Sequence, residues 1–505
     1  MKKVSLKTLF LSGSALLTMA LTSCGGNGGG AEDQVLPTDD PTSEITVKFW
    51  HCLGHAKTKN LEIIANKFNE KYAGKYKIDL VKLAGGYDDL ADSIKTKTKA
   101  GEIPALAMGY PDSFATYMTN DVNNSALYKL DNFINDPEYG YTEAELADFV
   151  PGFMEEGKNY QFEGTWSMPM YKSTEIMYYN ASYMAGANPQ NDKKFDKVSE
   201  YINLSNAAND PLATDTQLEA LTTWVKGHEG YVYNVPVTWN EMFATARQIK
   251  TDMAAQGLEG QEFYPVGYDS DANMFISQFA QRGIDYTAVG DSSDPSTQYL
   301  FNNDQAKALL TEVVGYVRDK LLITKNSLGG SKYTNEYFNN LKSAMSIGST
   351  GGSSYNVSAN FRVKLAPVPY ADGKQPKYIQ QGPSICFFNN DDPYIHKGAW
   401  LFYKLLADPT FNAELALENS YDPVRQSSFS SKAYAQWIAK HDEDLKYDIP
   451  YHTKDLRDKY MVSPVFVGSD TARSEMEKLV GKVVNSNYSI DEALKTAYDA
   501  CSAGY

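Results

Sequence analysis

From Ile45 to Asp112 the hydrophobic period switches from two to 3.6 and back again, twice over, and that alternation narrows the fold more than any other feature of the chain. Ile45, Val47 and Phe49 alternate with Thr46, Lys48 and Trp50, as a strand requires. After a loop, Leu61, Ile64, Ala65, Phe68 and Tyr72 recur at helical spacing, with Asn66, Lys67, Glu70 and Lys71 opposite them. Further strands are predicted around 76–83 and 105–110. A β-α-β-α-β order predicts a parallel sheet faced by helices, with ligands gathering at the carboxyl ends of its strands. Trp50-His51 and Tyr110-Pro111-Asp112 fall at such ends, and Trp50 is out of phase with the apolar side of its strand.

The same signals continue downstream. Thr238 and Glu241 have capping-box spacing and open a helix with Met242, Ala246 and Ile249 inward. A helix is predicted near Asp304, with Ala306, Leu309, Leu310, Val313, Val314 and Val317 in period, and a strand at 343–347 runs into a glycine- and serine-rich stretch, 348–354. Strands near 363–368 and 384–388, a helix at 399–406 stopped by Asp408-Pro409, and a capping box at Ser489 and Glu492 complete the pattern.

The first 23 residues read differently. Lys2, Lys3 and Lys7 precede an apolar run from Leu9 to Leu21, which ends in Leu21-Thr22-Ser23-Cys24. That is the layout of an export signal followed by the cysteine of a bacterial lipobox, so 1–23 is read as a signal peptide and Cys24 as the lipidated residue. Residues 24–44, rich in glycine, proline and acids, are expected to form a flexible tether. The body from 45 to 505 is long enough for two domains. Formal net charge is -16; without the three signal lysines it is -16 - 3 = -19, which argues against nucleic acid as a partner. Cys52, Cys386 and Cys501 are odd in number and widely spaced, so neither a disulfide framework nor a zinc set is expected.

The stretches ITVKFWHCLG from Ile45, PALAMGYPD ending at Asp112, SMPMYKSTEIMYYN from Ser167, VPVTWNEM from Val235, SAMSIGSTGGSSYN from Ser343, GAWLFYKLLADP from Gly398 and SYDPVRQS from Ser420 follow one another in an order that resembles the family 1 extracellular solute-binding proteins of ABC importers. The resemblance implies an α/β, two-lobed periplasmic-binding-protein-like fold of type II. Each lobe would be a mainly parallel sheet flanked by helices, with the ligand cleft at the hinge. Lobe one would hold 45–168 plus 373–425, and lobe two 169–372 plus 426–505. Trp50, His51, Tyr87, Asp88, Tyr110 and Asp112, with Gln381 and Gly382, would face the cleft from one side. Ser173, Thr174, Glu175, Tyr178, Trp239 and the loop carrying Gly348, Thr350, Gly351 and Ser353 would face it from the other. The implied ligand is a carbohydrate, with a glycerol-3-phosphate or glycerophosphodiester type as the alternative. The implied partners are the membrane subunits of a permease. The chain would be a monomer, held to the outer face of the cytoplasmic membrane by its lipid alone.

Aromatic faces suit the C–H side of a sugar ring, and planar polar side chains suit its hydroxyls. Plainer readings stand beside these. Trp239 opens a capped helix and fits packing as well as stacking, Glu175 fits pairing with Lys172, and Arg425 fits either an anionic ligand or an ordinary surface. His51 and His55 flank a loop broken by Gly54 with no third ligand near, so no metal is predicted, and no cofactor motif is present. Two alternatives from other classes stand beside it: an adhesin or sensor working without a transporter, and a surface glycoside hydrolase, which would need two carboxylates roughly 5 to 10 Å apart across the cleft.

Overall fold

The structure, a computed structural model, describes residues 34–181, 233–255, 257–358, 361–441 and 444–503, with positions 184, 214, 216, 219 and 220. The expected signal peptide, Cys24 and the tether as far as 33 lie outside the described residues.

The alternation read at the start of the body is realised as β1 (Ile45–His51), α1 (His55–Lys71), β2 (Tyr76–Lys82), α2 (Tyr87–Lys99), β3 (Leu106–Gly109) and α3 (Pro111–Met118). β4 (Ser167–Pro169) ends this part, and β5 (Glu175–Asn180) begins another sheet. That second sheet adds β6 (Val266–Tyr268), β7 (Leu322–Thr324), β8 (Met345–Ser349) and β9 (Val363–Pro367). The chain then makes the short β10 (Tyr378–Ile379), returns to the first sheet as β11 (Ser384–Phe387), and later pairs β12 (Tyr460–Met461) with β10.

The strand orders are β2-β1-β3-β11-β4 and β7-β6-β8-β5-β9. In each sheet one strand, β11 or β5, runs against its two neighbours, and the other four share a direction. Each sheet has its own hydrophobic core, one built around Phe49, Leu106, Phe387 and Trp400, the other around Met177, Val266, Phe275 and Leu479. Two α/β lobes follow from this, because an apolar sheet face is stable only when covered. Both capping boxes form: Glu241 accepts from the Thr238 amide and Glu492 from that of Ser489. The helix expected at 399–406 starts earlier, at Pro393, because Asp392 caps the Tyr394 amide and proline suits a first helical turn.

Three expected boundaries need correction. Tyr378 and Ile379 pack in the second core, so 373–379 stay with that lobe. Val465 lies in the first core, Phe429 packs against it, and the Lys432–Ile438 helix rests on Pro409–Glu418; the segment from 426 is therefore not wholly second-lobe. Residues 34–44 are bound rather than free. Leu36 is buried in the first core, Lys75 pairs with Asp40 at 2.5 Å, and Lys397 Nζ donates to the Asp39 carbonyl at 2.8 Å. One apolar anchor with two lysine contacts is enough to seat a segment whose composition alone suggests disorder.

Candidate functional site

Three chain segments cross between the lobes side by side. Ser173 and Gln381 exchange both backbone hydrogen bonds at 2.8 Å, and Lys172 and Asp422 do the same at 3.0 and 2.6 Å. Gly382 has φ of +94°, and a Cβ there would stand 2.7 Å from the Tyr171 carbonyl oxygen, so only glycine fits the crossing. Beneath it Lys172, wholly buried, donates to the Glu156 carboxylate, to Ser384 Oγ at 2.8 Å and to the Gly382 carbonyl at 3.2 Å.

Two cavities open on this crossing. The smaller, about 110 Å³, is walled by Tyr110 and Asp112 of the first lobe, Gln380 to Gly382 of the crossing, and Arg473. The larger, about 830 Å³, lies on the second lobe; Glu175, Asn273, Lys325 and Glu477 line it, and Gln381 and Arg473 belong to both. At its rim Tyr333 and Tyr355 are 53% and 68% exposed, with Lys325 Nζ 5.0 Å from the Tyr333 ring centroid. On the first lobe Tyr110, a wall of the smaller cavity, packs against Tyr87 with the rings tilted by 41° and their centroids 4.5 Å apart.

Arg473 comes from the Ser469–Asn485 helix and is held by a relay. Tyr268 OH and Asn273 Nδ2 donate to the Glu175 carboxylate at 2.5 and 2.8 Å, and Arg473 donates to Asn273 Oδ1. Two other acids of the large cavity, Asp269 and Glu477, serve neighbouring donors. Asp269 accepts from the Thr334 amide and hydroxyl, and Glu477 from Ser270, the Ala272 amide and Asn326.

Burial raises the Glu175 carboxyl to about 7 from 4.5, against the opposing pull of Tyr268, Asn273 and Arg473. The neutral acid is thus the form the fold prefers. Its contribution to stability is complete below about pH 4.5 and is lost as pH rises through about 7. Urea unfolding between pH 4.5 and 8 should therefore show Glu175→Gln with the flatter profile, the difference from wild type changing by on the order of 3 kcal/mol. Parallel profiles would contradict the buried carboxyl.

The structure brings together some of the residues expected from sequence. Tyr110, Asp112, Gln381, Gly382 and Glu175 line the cavities, and Tyr87 lies against Tyr110. Gly348 is buried behind the large cavity, where a Cβ would meet Asp269 at 3.0 Å. Gly351 and Ser353 touch the first lobe instead of open space: Lys57 Nζ donates to the Gly351 carbonyl at 3.2 Å, and Ser353 Oγ to Ser420 Oγ at 3.0 Å.

Others are placed elsewhere. Trp50 is buried in the first core, with Lys97 Nζ 5.8 Å from its ring centroid, because helices cover both faces of β1. His51 is buried beside it, its ring held to about 4 by loss of solvent. Asp88 is exposed on α2. Ser173 and Thr174 are buried in the crossing, where Thr174 Oγ1 donates to the Ile379 carbonyl, and the Thr350 amide donates to the Thr174 carbonyl. Tyr178 OH donates to the Ser349 carbonyl, and Trp239 Nε1 to Gln281 Oε1 at 2.8 Å, both rings being core. Glu175 does not pair with Lys172, whose partner is Glu156. Arg425 is 4% exposed, bound to Asp148 at 3.0 Å and stacked over Phe149. Arg473, Asn273, Lys325, Tyr333 and Tyr355 were not among the residues expected from sequence, which gives no local mark to any of them.

The model of a family described as bacterial extracellular solute-binding protein matches residues 64–441. Among solved structures, the cyclic alpha-maltosyl-1,6-maltose binding protein of Arthrobacter globiformis superposes with a TM-score of 0.62 at 16% identity, over 91% of this chain and 98% of that one. The GacH receptor of Streptomyces glaucescens, solved unliganded and with acarbose, gives 0.63 at 15% identity with the same coverage. UgpB from Mycobacterium tuberculosis, solved with glycerophosphocholine, gives 0.65 at 12% identity, again over 91% and 98%. No curated protein matches the chain by sequence. At these identities the likeness speaks for the fold alone.

Proposed function

Because the chain belongs to the bacterial extracellular solute-binding family, we propose that it captures a neutral oligosaccharide between its lobes and delivers it to the membrane subunits of an ABC importer. The observation that carries this reading is the large cavity itself, lined mainly by polar residues, with the exposed Tyr333 and Tyr355 at its rim, and joined through Gln381 and Arg473 to the smaller cavity walled by Tyr110 of the first lobe. Rings take the C–H faces of sugars, and amides and hydroxyls take their oxygens. Three carboxylates, Asp269, Glu336 and Glu477, line this cavity against Lys325 and Arg473, beside the Glu175 carboxyl that burial favours as the neutral acid, a balance that disfavours an anion. The two cations favour a second reading, a glycerophosphodiester.

The protein does no chemistry on its ligand in this proposal, since the acids of the cavity that meet protein donors are committed to them. It acts as a monomer and has no nucleic-acid partner. No helix among the described residues is long and apolar enough to cross a membrane. Attachment is assigned to acylated Cys24, which mass spectrometry of the membrane-extracted protein would detect. The ligand is tested by thermal shift with maltotriose and with glycerophosphocholine. A saturating ligand at about 100 times its dissociation constant adds about 2.7 kcal/mol. A shift with glycerophosphocholine alone would replace the first reading by the second.

A further inference from the structure

Asp112 stands in the first turn of α3 on the first lobe, and Arg473 on the Ser469–Asn485 helix of the second. Both wall the smaller cavity. Among the described residues Arg473 forms no ion pair; its side-chain hydrogen bond goes to Asn273 Oδ1. Among the described residues the one hydrogen bond of the Asp112 carboxylate comes from the amide of its own neighbour, Ser113. Each nonetheless feels the other. Asp112 is the foremost of the groups that favour the Arg473 charge against the effect of burial, and Arg473 draws the Asp112 carboxyl down where burial raises it.

We infer that Asp112 and Arg473 are a divided pair, completed by a hydroxyl of the bound sugar, and that together they set specificity against charged ligands. A carboxylate only accepts hydrogen bonds and a guanidinium only donates them. A group placed between them must do both, which a hydroxyl does. An anion entering there meets Asp112, and a cation meets Arg473, each at a cost that a partly desolvated site makes larger. The two residues belong to different lobes, so the hydroxyl that joins them also favours the closed form. Gln381 and Arg473 are shared with the larger cavity, which leads the rest of the sugar chain onto the second lobe. This inference rests on the carbohydrate reading and gives it a selection rule.

The test is calorimetric titration of the full chain and of Asp112→Asn, Arg473→Gln and Arg473→Lys. The neutral probes are maltotriose, cellotriose and raffinose, and the anionic probe is glucose 6-phosphate. The best neutral probe is expected to bind Asp112→Asn and Arg473→Gln at least about tenfold more weakly than wild type. Arg473→Lys should recover part of that loss. Glucose 6-phosphate should bind Asp112→Asn and not wild type, a gain that a merely structural role for Asp112 would not produce. Neutral binding unchanged in Asp112→Asn and Arg473→Gln, or glucose 6-phosphate binding wild type as tightly as the neutral probe, overturns the divided pair and leaves carbohydrate capture standing. No neutral probe binding to wild type overturns both. Melting temperatures without ligand identify a variant that fails to fold, and the other substitutions then carry the decision.

Discussion

Replacing Lys172 with alanine is expected to destabilise the folded chain by about 3–5 kcal/mol. The ammonium is wholly buried and serves three acceptors: the Glu156 carboxylate, Ser384 Oγ and the Gly382 carbonyl. Truncation leaves Glu156, itself buried, with its charge unopposed in a site water reaches poorly. The loss comes from that abandoned carboxylate more than from the missing attraction, so it should be reversible by removing both charges. Lys172→Met combined with Glu156→Leu should recover most of it. Urea unfolding of the single and double variants measures the difference. A single-variant loss below about 1 kcal/mol, the size typical of an exposed ion pair, would show that the site is solvated.

The second large effect falls on ligand affinity. A Cβ at Gly351 would stand 2.6 Å from Tyr421 Cζ and hydroxyl oxygen. Tyr421 is itself buried and packed on Tyr171 with ring centroids 4.5 Å apart, so it has little room to withdraw. Gly351→Val therefore wedges the second lobe away from Tyr421 and Lys57 without straining its own backbone, which does not require positive φ. Under the proposed function, ligand affinity should fall by about tenfold or more, because the closed form that makes both sets of contacts becomes harder to populate. Small-angle scattering should show wild type compacting with ligand and the variant failing to do so. Equal affinity and equal compaction would remove Gly351 from the closing surface.

How far these features can be read from sequence depends on the range of the interactions behind them. The strands at 45–51 and 76–82 and the capped helices after Thr238 and Ser489 are set by residues within one or two turns of each other, so period and capping residues reveal them. Trp50 misled because alternation reports which side of a strand a residue faces, not whether a helix covers that side; α2 does, through Lys97. Trp239 and Arg425 look available in sequence, but their partners, Gln281 and Asp148, lie far along the chain. Arg473 is the converse. Nothing nearby distinguishes it from the charged residues around it on its helix, and its place in the cleft arises only when Asn273 and Glu175 come together from two other elements.

The seating of residues 34–44 on the first lobe decides how the molecule can hang from a bilayer. With Cys24 acylated, as proposed, only residues 24–33 lie between the lipid and the docked strap, and ten extended residues span at most about 35 Å. The lobe carrying α1 and β2 then stays beside the headgroups. The search for a membrane partner becomes lateral travel within a thin layer instead of a three-dimensional one.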